Sequence, residues 1–160
     1  MLRTAHDSRS TMPASPATTH VALSIVSTLY HSARFLPRFV AECRAALEAA
    51  GIADYEIVFV NDGSPDDSAA WVLEQRALDA RIKLVDLSRN FGHHRAALAG
   101  LTYARGERVF LIDCDLEVSP AELPRMLALM ADTRADVVYG VQEMRKGGMV
   151  ERLGGSMFWR

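Results

Sequence analysis

"VFLIDCDLEVSP", residues 109–120, decides how the whole chain reads. Four apolar residues in unbroken succession mark a short strand covered on both faces, as in a parallel sheet, rather than a strand with one wet face. The run stops at Asp113, and Asp115 and Glu117 follow at alternate positions. Ser119, Pro120 and Glu122 then supply an N-cap, a proline at the first helical position and a capping-box acid, so a helix is expected directly after the acids. Pro124 lies too deep for a regular helix begun at Ser119, which predicts a late or kinked start. The same succession occurs earlier. In "FVNDGSPDD" (59–67) an apolar run ends at Asp62, and Ser64, Pro65 and Asp67 take the cap, first-helical and capping-box places.

Working outward, apolar runs alternate with helical periodicity along the chain. Strands are expected over 21–29, 55–62, 81–88, 108–113 and 135–141. Between them, "FLPRFVAECRAALEAAG" (35–51) places Phe35, Leu36, Phe39, Val40, Cys43 and Leu47 at helical spacing, with Gly51 as the stop. Further helices are expected over 66–79, over 93–105 closed by Gly106, and from Leu123, where Leu123, Met126, Leu127 and Met130 share a face. Strands this short, each followed by a helix, predict βαβ units: an α/β domain with a mostly parallel sheet and helices on both faces. In such sheets ligands bind beyond the carboxyl ends of the strands, which is where Asp62, Asp113 and Asp115 fall.

The totals exclude other classes. At 160 residues the chain suffices for one domain with its own core. A net charge of −2 offers no basic field for nucleic acid. Cys43 and Cys114 sit in apolar surroundings without metal-type spacing and read as reduced core residues of a cytoplasmic chain. No apolar run is long enough to span a bilayer. Residues 1–20 are rich in Ser, Thr, Pro and Ala, lack the apolar stretch of a signal peptide, and are expected to be a disordered lead-in to a domain over 21–160.

Crowded carboxylates repel, so Asp113 and Asp115 need a physical reason to be together. At i and i+2 in extended backbone their side chains leave on the same side, and two convergent oxygens suit a hard divalent cation, Mg²⁺ or Mn²⁺. Neither a P-loop nor a GxGxxG is present to cradle phosphate by backbone alone. A metal shared with a diphosphate fills that role.

Five segments, "SIVSTLYHS", "EIVFVNDGSPDDS", "DLSRNFGHHRAALAGL", "RVFLIDCDLEVSP" and "DVVYGVQEMRKGG", together resemble a family-two glycosyltransferase of the GT-A (Rossmann-like) fold. The branch with the nearest resemblance is that of the polyprenyl-phosphate sugar transferases, similar to dolichyl-phosphate mannose synthase and undecaprenyl-phosphate glucosyltransferase. The resemblance implies transfer of a hexose from a UDP- or GDP-sugar to a polyprenyl phosphate or glycan acceptor, with a divalent metal. It implies that Tyr30 and Asp62 contact the donor nucleotide and that Asp113 and Asp115 hold metal and diphosphate. Glu117 stands where relatives often carry Gln as a further metal-side ligand. Arg152 and Ser156, four apart, match the pair that grips the acceptor phosphate, and Arg152 with Asp115 would be catalytic. Gln142 stands at a frequent arginine position, with Arg145 nearby as its substitute. A lipid-phosphate acceptor is already anionic near neutral pH and needs no strong general base, whereas an alcohol acceptor would need one that these residues do not identify.

The chain also departs from the pattern. Thr28 replaces the family's usual proline and Ser32 an acid, and members of this branch continue well past the fifth strand, so the domain is expected to be C-terminally truncated. Phe158 and Trp159, beside Arg152 and Arg160, read either as the start of a membrane-surface helix or as a raw core edge. Two rival readings stay open: a haloacid-dehalogenase-type phosphatase, disfavoured because its D-x-D ends the first strand, and a nucleotide-sugar binder without turnover. His93 and His94 are adjacent and cannot share a helix face, which argues against metal binding. With Arg89 and Asn90 they are placed near the ligand edge of the sheet.

Overall fold

The structure is a computed structural model, and it describes residues 20–141. Four strands, β1 (Leu23–Leu29), β2 (Tyr55–Asn61), β3 (Ile82–Asp86) and β4 (Arg108–Leu111), alternate with four helices, α1 (Leu36–Ala49), α2 (Ser68–Leu78), α3 (His93–Tyr103) and α4 (Leu123–Thr133). The sheet runs β3-β2-β1-β4 with every pair parallel. The strand order reverses at β1, so the crevice beside its carboxyl end is the natural ligand position. The α/β class and the mostly parallel sheet with helices on both faces are as the alternation predicts.

Alternate residues of the strands serve two faces. Leu23, Ile25 and Leu29 of β1, with Ile57 and Phe59 of β2, join Leu36, Phe39, Cys43 and Leu47 of α1, Val72 of α2 and Leu123 of α4 in one buried cluster. The opposite face carries α3. There Gly100 rests on Val26 and Val60 so closely that an added Cβ would overlap the Val26 methyl and stand 2.9 Å from that of Val60. Below the sheet, buried Glu56 accepts hydrogen bonds from Ser24 Oγ (2.8 Å) and the Arg105 amide (2.7 Å), pinning the turn that leads into β4.

The expected elements meet two agreements and two corrections. α1 ends as expected, with Gly51 at φ +69° and the Ile52 amide returning to the Leu47 carbonyl. Ser119 Oγ does accept the Ala121 amide, but it caps a short 3₁₀ turn, Pro120–Glu122; α4 begins after it, the late start that Pro124 demands. Ser64 does not cap α2. The helix starts at Ser68, and Ser64 instead donates to Asp66, whose carboxylate accepts the Ser68 amide. Residues 135–141, expected as a fifth strand, form no strand, and Val137, Tyr139 and Val141 stand exposed. Strand hydrogen bonds need a partner at the right register, and local apolar content cannot provide one. Among the described residues no helix is long and apolar enough to cross a membrane.

Candidate nucleotide-sugar site

Beyond the carboxyl ends of β1, β2 and β4 lies a cleft of about 320 Å³. Tyr30, Asp62, Asp113 and Asp115 all line it, so four residues separated by up to 85 positions in sequence share one wall-to-wall space. Each arrives there by the same route: the parallel sheet delivers its strand ends to one edge, and a turn follows each.

Asp62 is buried, and its carboxylate is already engaged. Oδ1 accepts the Phe91 amide at 2.7 Å and Oδ2 the Gly92 amide at 2.9 Å. It thereby ties the end of β2 to the loop that opens α3. Gly63 beside it has φ +65°, and a Cβ there would stand 2.6 Å from the Asn90 amide nitrogen, so only glycine permits this approach. Tyr30 is half exposed and meets the His31 ring edge-on, centroids 4.7 Å apart.

The Asp113–Asp115 pair faces one cleft, but not because the backbone is extended. β4 has ended at Leu111, residues 114–115 form a turn, and Leu116 takes φ +64°. Between the acids the Cys114 thiol turns inward to the Thr28 carbonyl at 3.6 Å; burial pushes its pKa up, so it is no nucleophile. Asp115 Oδ1 accepts the Glu117 amide at 3.0 Å. Glu117, expected as a further metal-side ligand, is exposed and is not among the residues that line the cleft. Among the described residues no three His, Cys, Asp or Glu side chains are grouped to hold a metal. Two carboxylates remain, neither paired with lysine or arginine among the described residues, and Asp113 has only the His93 ring nearby at 3.8 Å. Hard, uncompensated oxygens on one wall fit a divalent cation that takes its other ligands from a bound phosphate. Gln142, Arg145, Arg152 and Ser156 lie outside the described residues.

The structure adds residues that composition did not single out. Asp66 lies behind the cleft as a clasp: its Oδ1 accepts Ser64 Oγ (2.6 Å) and Ser68 Oγ (2.5 Å), and its Oδ2 accepts the Ala33 amide (2.9 Å). Ser64 Oγ in turn accepts the His31 amide at 2.8 Å, and Ser68 Oγ the Ser32 amide. This network holds the β1–α1 loop, with His31 at the sparse φ of +55°, against the β2–α2 loop. Burial alone would raise the Asp66 pKa, but the Ser64 and Ser68 hydroxyls and the Ala33 and Ser68 amides outweigh it and hold the carboxyl well below the usual range. The Ser-x-Asp-x-Ser spacing of 64–68 was the signal for it. Thr28, Ser32 and Phe35 also line the cleft.

A family model described as glycosyl transferase family 2 matches residues 24–159. The chain belongs to the family 2 glycosyltransferases. Among its relatives, a Mycobacterium tuberculosis protein with a provisional glycosyltransferase name is 41% identical over 138 residues, covering 86% of this chain and 40% of the relative. An uncharacterized glycosyltransferase of Bacillus subtilis, YkcC, is 34% identical over 142 residues, 88% of this chain and 43% of the relative. This family member therefore spans about two fifths of the curated relatives it matches. Its fold is shared with a Pyrobaculum calidifontis mannosyltransferase solved with GDP-Man and Mn²⁺ (TM-score 0.59, 20% identity, 72% of this chain, 34% of that one). It is shared as well with S. aureus TarS 1–349 in complex with UDP-GlcNAc (TM-score 0.58, 19% identity, 79% of this chain, 39% of that one).

Proposed function

We propose that the chain carries the donor half of a metal-dependent hexosyltransferase, which takes a sugar from a nucleotide diphosphate and passes it to a polyprenyl phosphate or glycan acceptor. The observation that carries this reading is that Asp62, just past β2, and Asp113 and Asp115, both just past β4, line one cleft together with Tyr30. Family membership and fold neighbours bound to UDP-GlcNAc and GDP-Man support it.

In this reading Tyr30 offers an aromatic surface to the base. Each Asp62 oxygen accepts one backbone amide and keeps a second lone pair, enough for a base N–H while the loop stays tied. Asp113 and Asp115 hold the cation, Mg²⁺ or Mn²⁺, which when bound neutralises charge on the departing diphosphate. The remaining work is alignment of donor and acceptor, for which tied loops are suited. Arg152 and Ser156 are proposed to grip an anionic acceptor, with Gln142 and Arg145 as further acceptor-side candidates, at a cytoplasmic membrane face where the nucleotide sugar is available.

Calorimetry with UDP and GDP, with and without Mn²⁺, tests the donor half. Metal-dependent binding is expected; binding of equal strength without metal would refute the reading. Radiolabelled nucleotide sugar with polyprenyl phosphate then tests transfer, and labelled lipid is the expected product.

A further inference from the structure

An anionic diphosphate entering this cleft meets three carboxylates, so the donors available to it decide how well it is held. Among the described residues that line the cleft, none is lysine or arginine, and His93 is the one basic side chain. It is the first residue of α3, placed immediately after Gly92, whose φ of +94° and amide bond to Asp62 set where the helix begins. Its Nδ1 lies 3.0 Å from Thr28 Oγ1, on the neighbouring wall, whereas Asp113 Oδ1 at 3.8 Å is beyond hydrogen-bond distance. Thr28 is thus the ring's partner. Its hydroxyl can donate to Nδ1, and a neutral imidazole so engaged carries its proton on Nε2. Nε2 has no hydrogen-bond partner among the described residues.

We infer that His93, oriented by Thr28, donates from Nε2 to the diphosphate of the bound nucleotide sugar and so distinguishes nucleoside diphosphates from monophosphates. This rests on the donor reading above. His93 is the contact and Thr28 the positioning residue. The contact lies next to the acid pair but supplies what carboxylates cannot, an N–H directed at phosphate oxygen.

Calorimetry on the full chain with Mn²⁺ compares UDP and GDP with UMP and GMP. A hydrogen bond to a charged group is large enough that His93→Ala should weaken diphosphate binding about tenfold or more, with monophosphate affinity little changed. Glutamine places its amide near the Nε2 position and asparagine near Nδ1, so His93→Gln should retain most of the diphosphate preference and His93→Asn should lose it. Thr28→Val should lower the preference and Thr28→Ser restore it, with unchanged unfolding transitions for the folded variants. An unaltered diphosphate preference in His93→Ala, or a better-binding His93→Asn than His93→Gln, overturns the inference while leaving the donor reading intact. A wild-type chain that binds no nucleotide with Mn²⁺ overturns both.

Discussion

At the scale of single residues, the chemistry rests on carboxylates held in different ways. Asp113 and Asp115 are exposed and left to a ligand, Asp62 holds two backbone amides with a lone pair left on each oxygen, and Asp66 is spent on amides and hydroxyls. The two roles predict different phenotypes. Asp115→Asn removes half of the proposed cation set without disturbing any core contact, so metal-dependent nucleotide binding should vanish from the calorimeter while the urea midpoint stays within experimental scatter. Asp66→Asn acts on the fold instead. Because its folded pKa lies below the ordinary 3.8, the Asp66 carboxylate adds stability that is complete above that unfolded value and drains away as pH falls through the folded one. The melting temperature of Asp66→Asn should lie below wild type by a constant margin from neutral pH to about pH 4, and the margin should shrink below that. A margin that widens in acid would contradict the clasp.

Among the elements, α3 depends most on a small residue. Gly100 brings the helix axis onto Val26 and Val60, and an added methyl overlaps side-chain atoms rather than backbone. Overpacking of this kind costs about 1–3 kcal/mol. Gly100→Ala should therefore lower stability by that amount in urea titration, and Val26→Ala should recover part of it in the double variant, since the methyl groups compete for one space. The start of α3 also carries His93 into the cleft, so the same substitution should weaken nucleotide binding if the helix is pushed outward. The opposite result, additive losses with no recovery, would show that the contact between Gly100 and Val26 is not what seats the helix.

At the scale of the whole sheet, β1 and β2 form the centre and β4 an edge among the described residues. Among the described residues, β1 is paired on both sides and β2 likewise, whereas β4 pairs only with β1 and leaves Val109 and Leu111 partly exposed. Native-state hydrogen exchange should find the slowest amides at Val26 and Val58 and faster ones in β4, because edge pairing opens without unfolding the rest. Uniform protection across the sheet would count against this division. The same contrast explains what was legible in the chain. The strands up to β4 and the α1 boundary follow from apolar runs and from Gly51, local signals that packing reinforces. The expected strand over 135–141 failed because its pattern is local and its partner is not. Glu117 is a metal-side ligand by the resemblance alone, and past the turn at Leu116 it stands exposed. Asp66 is legible only in part: the Ser-x-Asp-x-Ser spacing of 64–68 marks its local partners, but the Ala33 amide it also holds belongs to a different loop.

The residues in order determined that this chain is a parallel α/β domain, that its acids gather at the strand ends, and that it resembles the sugar transferases with which it shares a family. Periodicity and turn chemistry act within a few neighbours, and both are written in the chain. Only the tertiary structure decided that Asp62 is tied to the start of α3, that Asp113 and Asp115 stand without Glu117, and that Thr28 turns His93 toward the same space. These contacts join residues 29 to 65 positions apart, and their geometry exists only once the sheet has brought the loops together.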